Sequence, residues 1–409
     1  MSEHRNKLFS AARLNGLDLR NRVIRAATFE GMCPNGYPSD RLIDLHRTVA
    51  EGGVGMTTVA YCAVEADGRV KAEMMYMHEE IRPQLEALTR AVHAAGAKIS
   101  GQIGHCGNFS QNTRFRGKRP LGPSAMINPS GIPFGLPFAG AMTHADIDRV
   151  VQCFHDAARF TKSAGFDALE IHFGHGYGLS QFISPKTNKR ADEYGGSLVN
   201  RMRYPLRVLE AVRWAVGDDF PILGKMGLTD GVTGGLTTDE AVEVAALLDD
   251  AGIDALIPSG GTSSMNPMLL FRGDSLLPGL LAVEKSPFLR LAMRLVGSRM
   301  FRTYPYEELY FLDGARRVRD RIKHAKLCYI GGASTMQSLE TVMREFDFVQ
   351  MGRALIKDPA FVNHAMADPG YVNHCDHCNR CATLISHPEG IRCVTNDEAG
   401  LLGGRGWSD

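Results

Sequence analysis

The chain has no excess of either charge, with 46 Lys and Arg set against 45 Asp and Glu. Without a net basic field it has no general hold on nucleic acid or an anionic membrane, so small-molecule partners are expected. No apolar run approaches the roughly 18 residues that a membrane-spanning helix requires. Charges at Glu3, His4, Arg5 and Lys7 interrupt the amino terminus, which has no apolar stretch of signal-peptide length, so a cytoplasmic location is expected. Cysteine is sparse through most of the sequence, at Cys33, Cys62, Cys106, Cys153 and Cys328, as suits free thiols in a reducing compartment rather than a disulfide scaffold. Also missing is a strand followed by Gly-x-Gly-x-x-Gly and a helix. The run Gly403-Gly-Arg-Gly has neither element beside it, so no separate dinucleotide domain is expected.

What the chain does have is length, 409 residues with 44 % hydrophobic, and a regular alternation of short Val/Ile/Ala-rich runs with amphipathic segments. The strands are expected at 22–27, 55–60, 97–103, 167–171, 222–226, 254–258, 326–330 and 346–350. Eight strand–helix units of this kind specify an α/β protein, a single (β/α)₈ TIM barrel over residues 1–368. Leu85, Leu88 and Val92 share one helical face, as do Val244, Leu247, Leu248 and Ala251. Thr143-x-x-Asp146 and Thr237-x-x-Glu240 read as capping boxes. The echo between Ser163-Ala-Gly-Phe-Asp-Ala-Leu and Asp250-Ala-Gly-Ile-Asp-Ala-Leu is that of a repeated helix–turn–strand unit.

Three stretches exceed the bare barrel. Residues 107–141 form a long proline-rich loop after strand 3, and residues 262–306 an insertion after strand 6. The segment Phe288-Leu-Arg-Leu-Ala-Met-Arg-Leu-Val in that insertion is expected to form an amphipathic helix that covers the barrel mouth or joins a second subunit in a homo-oligomer. Residues 369–409 form a cysteine-rich tail with Cys375-x₂-Cys378-x₂-Cys381-x₁₁-Cys393. Four thiols in nineteen residues read as a ligand set for a 4Fe-4S cluster, or for zinc with His374 or His377, against a third reading of unliganded thiols.

In a barrel the chemistry gathers at the carboxyl ends of the strands. The residues placed there are Ala27, Thr28, Ala60, Tyr61, Gln102, His172, His175, Lys225, Ser259, Gly331, Gly332, Gly352 and Arg353. Gly331, Gly332, Gly352 and Arg353 fall after strands 7 and 8, the usual phosphate site of such barrels, and a guanidinium there adds charge-assisted hydrogen bonds. A phosphorylated cofactor is the economical inference. His172, His175 and Tyr177 follow strand 4, where two imidazoles and a phenol can together hold one small polar group.

The run from Asp167-Ala-Leu-Glu-Ile-His-Phe-Gly-His-Gly-Tyr177 through Ser180-Gln-Phe-Ile-Ser-Pro to Glu193-Tyr-Gly-Gly-Ser resembles the Old Yellow Enzyme family of flavin-dependent ene-reductases. Further similar segments are Asn21-Arg-Val-Ile-Arg-Ala-Ala-Thr and Asp347-Phe-Val-Gln-Met-Gly-Arg-Ala-Leu-Ile-Lys-Asp-Pro. The resemblance implies FMN as cofactor and NAD(P)H as reductant. It implies flavin contacts from Ala27, Thr28, Ala60 and Gln102, Lys225 beside flavin N1, and the phosphate on Gly331, Gly332, Gly352 and Arg353. A small activated alkene would be held by His172 and His175 and protonated by Tyr177.

The barrel is similar to that of the 2,4-dienoyl-CoA reductase branch, whose iron–sulfur ligands occupy the position of the tail cysteines. That branch has three residues between its second and third cysteines where this chain has two, and it carries nucleotide-binding domains not expected here. A cluster without a second flavin domain would call for an external electron partner or be an inherited structural cluster. Because the implied flavin contacts all precede Pro359, Cys378→Ser is expected to lose a tail metal and keep FMN. Two rival functions are a metal-dependent barrel hydrolase with His172 and His175 as ligands, and a non-catalytic FMN-binding protein. The hydrolase lacks a His-x-His at the end of strand 1.

Overall fold

The computed structural model describes residues 2–114 and 119–398. Eight parallel strands pair in chain order and close on themselves: β1 (Val23–Arg25), β2 (Met56–Ala63), β3 (Lys98–Gly104), β4 (Ala168–Phe173), β5 (Ile222–Gly227), β6 (Ala255–Ser259), β7 (Lys326–Tyr329) and β8 (Phe348–Met351). β8 returns beside β1 with Val349 opposite Val23 and Gln350 opposite Ile24, so the sheet has no open edge. All eight expected strands are present. Their sequences run apolar rather than alternating because one face meets the barrel interior and the other the surrounding helices.

A repeated device sets the strand starts. Asp167 Oδ2 accepts from the Ile99 backbone N–H (2.9 Å), Asp254 Oδ2 from Ile222 (2.7 Å) and Asp347 Oδ2 from Leu327 (3.0 Å). In each case a carboxylate just before one strand satisfies a first N–H of the preceding strand. This is the physical content of the Gly-Phe-Asp-Ala and Gly-Ile-Asp-Ala echo, whose glycines take left-handed φ of 91° and 83°.

The helices follow their local signals. Thr143 and Asp146 make the full reciprocal capping box on His144–Ser163. Thr237 makes only half of one: its side chain accepts from Glu240 N–H and nothing is returned. A second full box, Thr335 with Ser338, opens Met336–Glu345.

A hairpin, Ala12–Leu14 with Leu17–Leu19, was not anticipated. Its Leu14 and Leu19 pack with Ile24, Met56, Ala168, Leu223, Ala255, Ile257, Cys328 and Phe348. These residues come from the early part of seven barrel strands, so the hairpin plugs the amino end and leaves the carboxyl end for chemistry.

The insertion after β6 contains Leu277–Val283 and Pro287–Met300, the latter including the expected amphipathic helix. Phe288, Leu291 and Leu295 on that helix face solvent in the single chain. The insertion lies against the cysteine tail, where a Cβ on Gly279 would sit 2.6 Å from Thr383 Cγ2. The last part of the tail, 399–409 with the Gly403-Gly-Arg-Gly run, lies outside the described residues. Among the described residues no helix is long and apolar enough to cross a membrane.

Candidate active site

His172 is the penultimate residue of β4, and the chain then turns through His175 (φ 60°) and Gly176 (φ 75°) into Tyr177, which precedes the helix Gly178–Ile183. A left-handed histidine is an uncommon conformation, held here because both sides of the turn are fixed. Gln181 donates to Gly176 O (2.7 Å) and Cys106 O (2.8 Å) and accepts from Asn108 N–H (2.9 Å). Asn188 donates to Phe182 O (2.8 Å) and Tyr194 O (2.7 Å). The Ser-Gln-Phe-Ile-Ser-Pro and Glu-Tyr-Gly-Gly runs thus brace the loop that carries the histidines.

The turn brings the three expected side chains together. The His172 ring centroid is 4.6 Å from that of Tyr177 and 5.0 Å from that of His175. Tyr61 (5.0 Å) and Phe109 (5.8 Å) pack against Tyr177 to complete an aromatic wall. His175 Nε2 is 2.9 Å from Ser259 Oγ at the end of β6, whereas buried His172 Nδ1 has no partner among the described residues.

Burial, then the charge of Lys225, holds His175 down to about 3. Burial, His175 and Lys225 hold His172 well below the ordinary imidazole range. Both rings are therefore neutral near pH 7, each with one N–H to donate. Burial pushes the Tyr177 hydroxyl up, reinforced by Cys106 and opposed by a hydrogen bond with Ser263, so it keeps its proton.

Below this wall lies a polar layer inside the barrel. Lys225 is 1 % exposed, not a solvated strand-end lysine. Its Nζ stands 2.9 Å from Glu170 Oε1, an ion-pair separation, although the approach is not aligned as a hydrogen bond. Gln102 donates to Glu170 Oε1 (2.6 Å) and Gln350 to Glu170 Oε2 (2.7 Å). Sequence reasoning missed Glu170 and Gln350. The available signal was a charged or amide side chain inside a buried apolar run: Gln350 alone in its strand, and Glu170 two before His172 on the same inward face.

Thr28 and Ala60 are organised by a second buried pair, and Ala27 packs on the cluster around Ala60 and Tyr61. Arg25 donates to Glu30 Oε1 (2.9 Å), Thr58 O (3.0 Å) and Thr28 Oγ1 (2.8 Å), and Glu30 Oε2 accepts from Ala60 N–H (3.2 Å). Thr28 also lies against Gly352, 3.6 Å from where a Cβ would stand, linking this side to the loop after β8.

Gly331 (φ 126°) and Gly332 (φ 79°) form the turn after β7, and Gly352 precedes the short helix Arg353–Lys357. Arg353 donates through Nη1 to Arg272 O (2.7 Å) and Asn379 Oδ1 (2.5 Å). Asn379, between Cys378 and Cys381, in turn donates to Phe271 O (2.6 Å) and Asp274 O (2.8 Å). Tyr306 donates to Glu308 Oε1 (2.6 Å), with its hydroxyl 3.2 Å from Gly332 O, and stacks on His377, with ring centroids 3.3 Å apart. The cysteine tail therefore reaches both expected phosphate loops.

Cys375, Cys378, Cys381 and Cys393 line one cavity together with Arg353, Ile356 and Lys357. Among the described residues no three of these sulfurs lie mutually within 4.8 Å. A tetrahedral zinc, with Zn–S near 2.3 Å, would draw its sulfurs to about 3.8 Å of one another.

The family described as NADH:flavin oxidoreductase / NADH oxidase matches residues 7–262. The chain is 43 % identical to a 4,4'-dithiodibutanoate disulfide reductase of Rhodococcus erythropolis, over 95 % of both chains. It is 31 % identical to a metal reductase of Desulforamulus reducens, over 96 % of this chain and 54 % of the relative. An NADH oxidase of Thermoanaerobacter brockii is also 31 % identical, over 98 % of this chain and 57 % of that one. The chain thus spans just over half the length of those two relatives. Among solved structures, 2-naphthoyl-CoA reductase superposes with a TM-score of 0.80 at 25 % identity, over 97 % of this chain and 58 % of that one. Morphinone reductase, at 22 % identity and a TM-score of 0.67 over 90 % of this chain and 92 % of the other, shares the fold. These similarities favour neither the barrel hydrolase nor a non-catalytic flavin store. The chain belongs to the NADH:flavin oxidoreductase / NADH oxidase family, the Old Yellow Enzyme group, and is an NAD(P)H-dependent oxidoreductase that uses FMN.

Proposed function

We propose that this enzyme reduces α,β-unsaturated carbonyl compounds or related activated alkenes, delivering hydride from NAD(P)H by way of FMN to the β-carbon. Bound FMN supplies the alternating acceptor and donor of hydride at N5. The observation that carries this reading is a pair of neutral, buried imidazoles, one with an unpartnered Nδ1, facing the Tyr177 ring. His172 and His175 donate to the substrate oxygen and stabilise the charge that grows there. Tyr177 gives its proton to the α-carbon. Lys225 would stand beside flavin N1, and Gly331, Gly332, Gly352 and Arg353 would hold the phosphate.

The test is Tyr177→Phe. Flavin reduction by nicotinamide should persist, while reoxidation by an enone in anaerobic stopped flow slows on the order of 10²-fold. Unchanged reoxidation would remove Tyr177 from the mechanism.

A second reading follows from the disulfide reductase of Rhodococcus erythropolis, the most similar of the relatives compared above. In that case hydride and the Tyr177 proton together convert one disulfide into two thiols. Prereduced enzyme offered an enone and a dialkyl disulfide in parallel separates the two: the faster oxidant names the class.

For the tail we propose a 4Fe-4S cluster in preference to zinc, since the four cysteines that line one cavity supply the one thiolate per iron that a cubane takes. Such a cluster would exchange electrons with a partner outside this chain.

A further inference from the structure

We propose that Glu170 is a positioning residue of the flavin site, one that sets both the charge left on Lys225 and the direction in which Gln102 is presented. The proposal rests on the placement of Lys225 beside flavin N1 argued above.

Glu170 has no solvent exposure, and side chains from three other strands converge on its carboxylate: Gln102 from β3, Lys225 from β5 and Gln350 from β8. A barrel interior is ordinarily filled with branched apolar side chains. Burying a carboxylate there is costly and is offset only by close, complementary partners. Glu170 has such partners, and its two nearest consequences both point toward the cofactor.

The first is electrostatic. Reduced flavin carries negative charge near N1, and an uncompensated ammonium beside it favours that state. Glu170 Oε1 lies 2.9 Å from Lys225 Nζ and cancels part of the field, so the pair rather than the lysine alone sets the driving force. The second is directional. An ionised carboxylate only accepts, so it draws the amide N–H groups of Gln102 and Gln350 toward itself and turns their carbonyl oxygens away. Gln102 Oε1 is then turned away from Glu170, the direction from which it can accept from the N–H edge of a flavin ring. Gln350 Oε1 is buried without a partner among the described residues, as this fixed orientation requires.

The experiment compares holoenzyme carrying Glu170→Gln, Lys225→Met, or both. Midpoint potentials are measured by reference-dye equilibration, sulfite affinity by flavin bleaching, and apoprotein stability by thermal melts. Glu170→Gln should favour two-electron reduction about tenfold, a rise of about 30 mV, and tighten sulfite to a similar degree. Lys225→Met should move both in the opposite direction, and the double variant should return to within about threefold of wild type.

A flavin-loaded Glu170→Gln protein whose potential and sulfite affinity match wild type, beside a shifted Lys225→Met, would overturn the role of Glu170 alone. No shift in either single variant would overturn the placement of Lys225 and the proposal with it. If Glu170→Gln does not retain flavin, the double variant decides. Flavin retained at near-wild-type potential supports charge balance, and flavin lost from both variants overturns the proposal in favour of a packing role.

Discussion

Replacing Asn379 with Ala removes the Nη1 bond from Arg353 (2.5 Å) and the anchoring bonds to Phe271 O (2.6 Å) and Asp274 O (2.8 Å). A hydrogen bond to a charged group contributes about 1.5–3 kcal/mol, and Arg353 keeps its bond to Arg272 O, which favours the lower end. About 1.5 kcal/mol corresponds to roughly a tenfold weaker FMN complex. The residue also sits at φ 60°, where Ala is disfavoured by roughly 1 kcal/mol, a cost borne by the loop rather than by flavin affinity. Asn379→Gly separates the two effects: it removes the contacts and relieves the backbone, and should weaken FMN as much as Ala does while melting higher. The assay is titration of apoprotein into FMN, following the loss of flavin fluorescence. An Asn379→Ala affinity within threefold of wild type would refute the idea that the cysteine loop holds the phosphate arginine. Cys378→Ser, expected from sequence to lose a tail metal and keep FMN, should by the same contact keep it at reduced affinity.

Three further outcomes are expected. His172→Ala with His175→Ala should abolish the long-wavelength charge-transfer band given by para-substituted phenols with the bound flavin; the same band in mutant and wild type would show that the anion is held elsewhere. Both histidines have folded pKa values below the unfolded value of about 6.5, so they stabilise the native state above that value and cease to do so as pH falls toward about 3. Melting temperature between pH 7 and 4 should therefore fall more steeply for wild type than for the double variant, and equal slopes would assign the acid loss to other groups. Anaerobically purified protein should contain about four iron and four sulfide per chain; one zinc without sulfide, or metal-free protein with four titratable tail thiols, would overturn the cubane.

The barrel was legible because each strand is a short apolar run, two of them introduced by the same Gly-x-Asp device. That motif is local, and its hydrogen bond joins adjacent strands. The histidine turn was legible for a similar reason, its chemistry lying within six residues. The amino-terminal plug was not recognised, although Asn15-Gly16 between Leu14 and Leu17 is a strong hairpin signal. Glu170 and Gln350 were missed because a lone polar residue in a buried run gives no hint of its partners, which stand 68 and 180 positions apart in the two hydrogen bonds that define the layer. Arg353 was placed correctly after β8, but nothing near it in sequence indicates that it leans on Asn379 and Arg272.

That last contact bears on how the protein is made. Every side chain expected to touch the flavin has left the ribosome once Arg353 emerges, yet the arginine is held in place by a residue 26 positions later, in the loop between the cysteines. A nascent or truncated chain ending just after β8 could close its barrel and display all the expected flavin contacts, but with Arg353 held through Arg272 O and without Asn379. With Arg353 in its proposed phosphate role, such a chain would bind FMN about tenfold more weakly, and full cofactor affinity would wait on the docking of the cysteine loop.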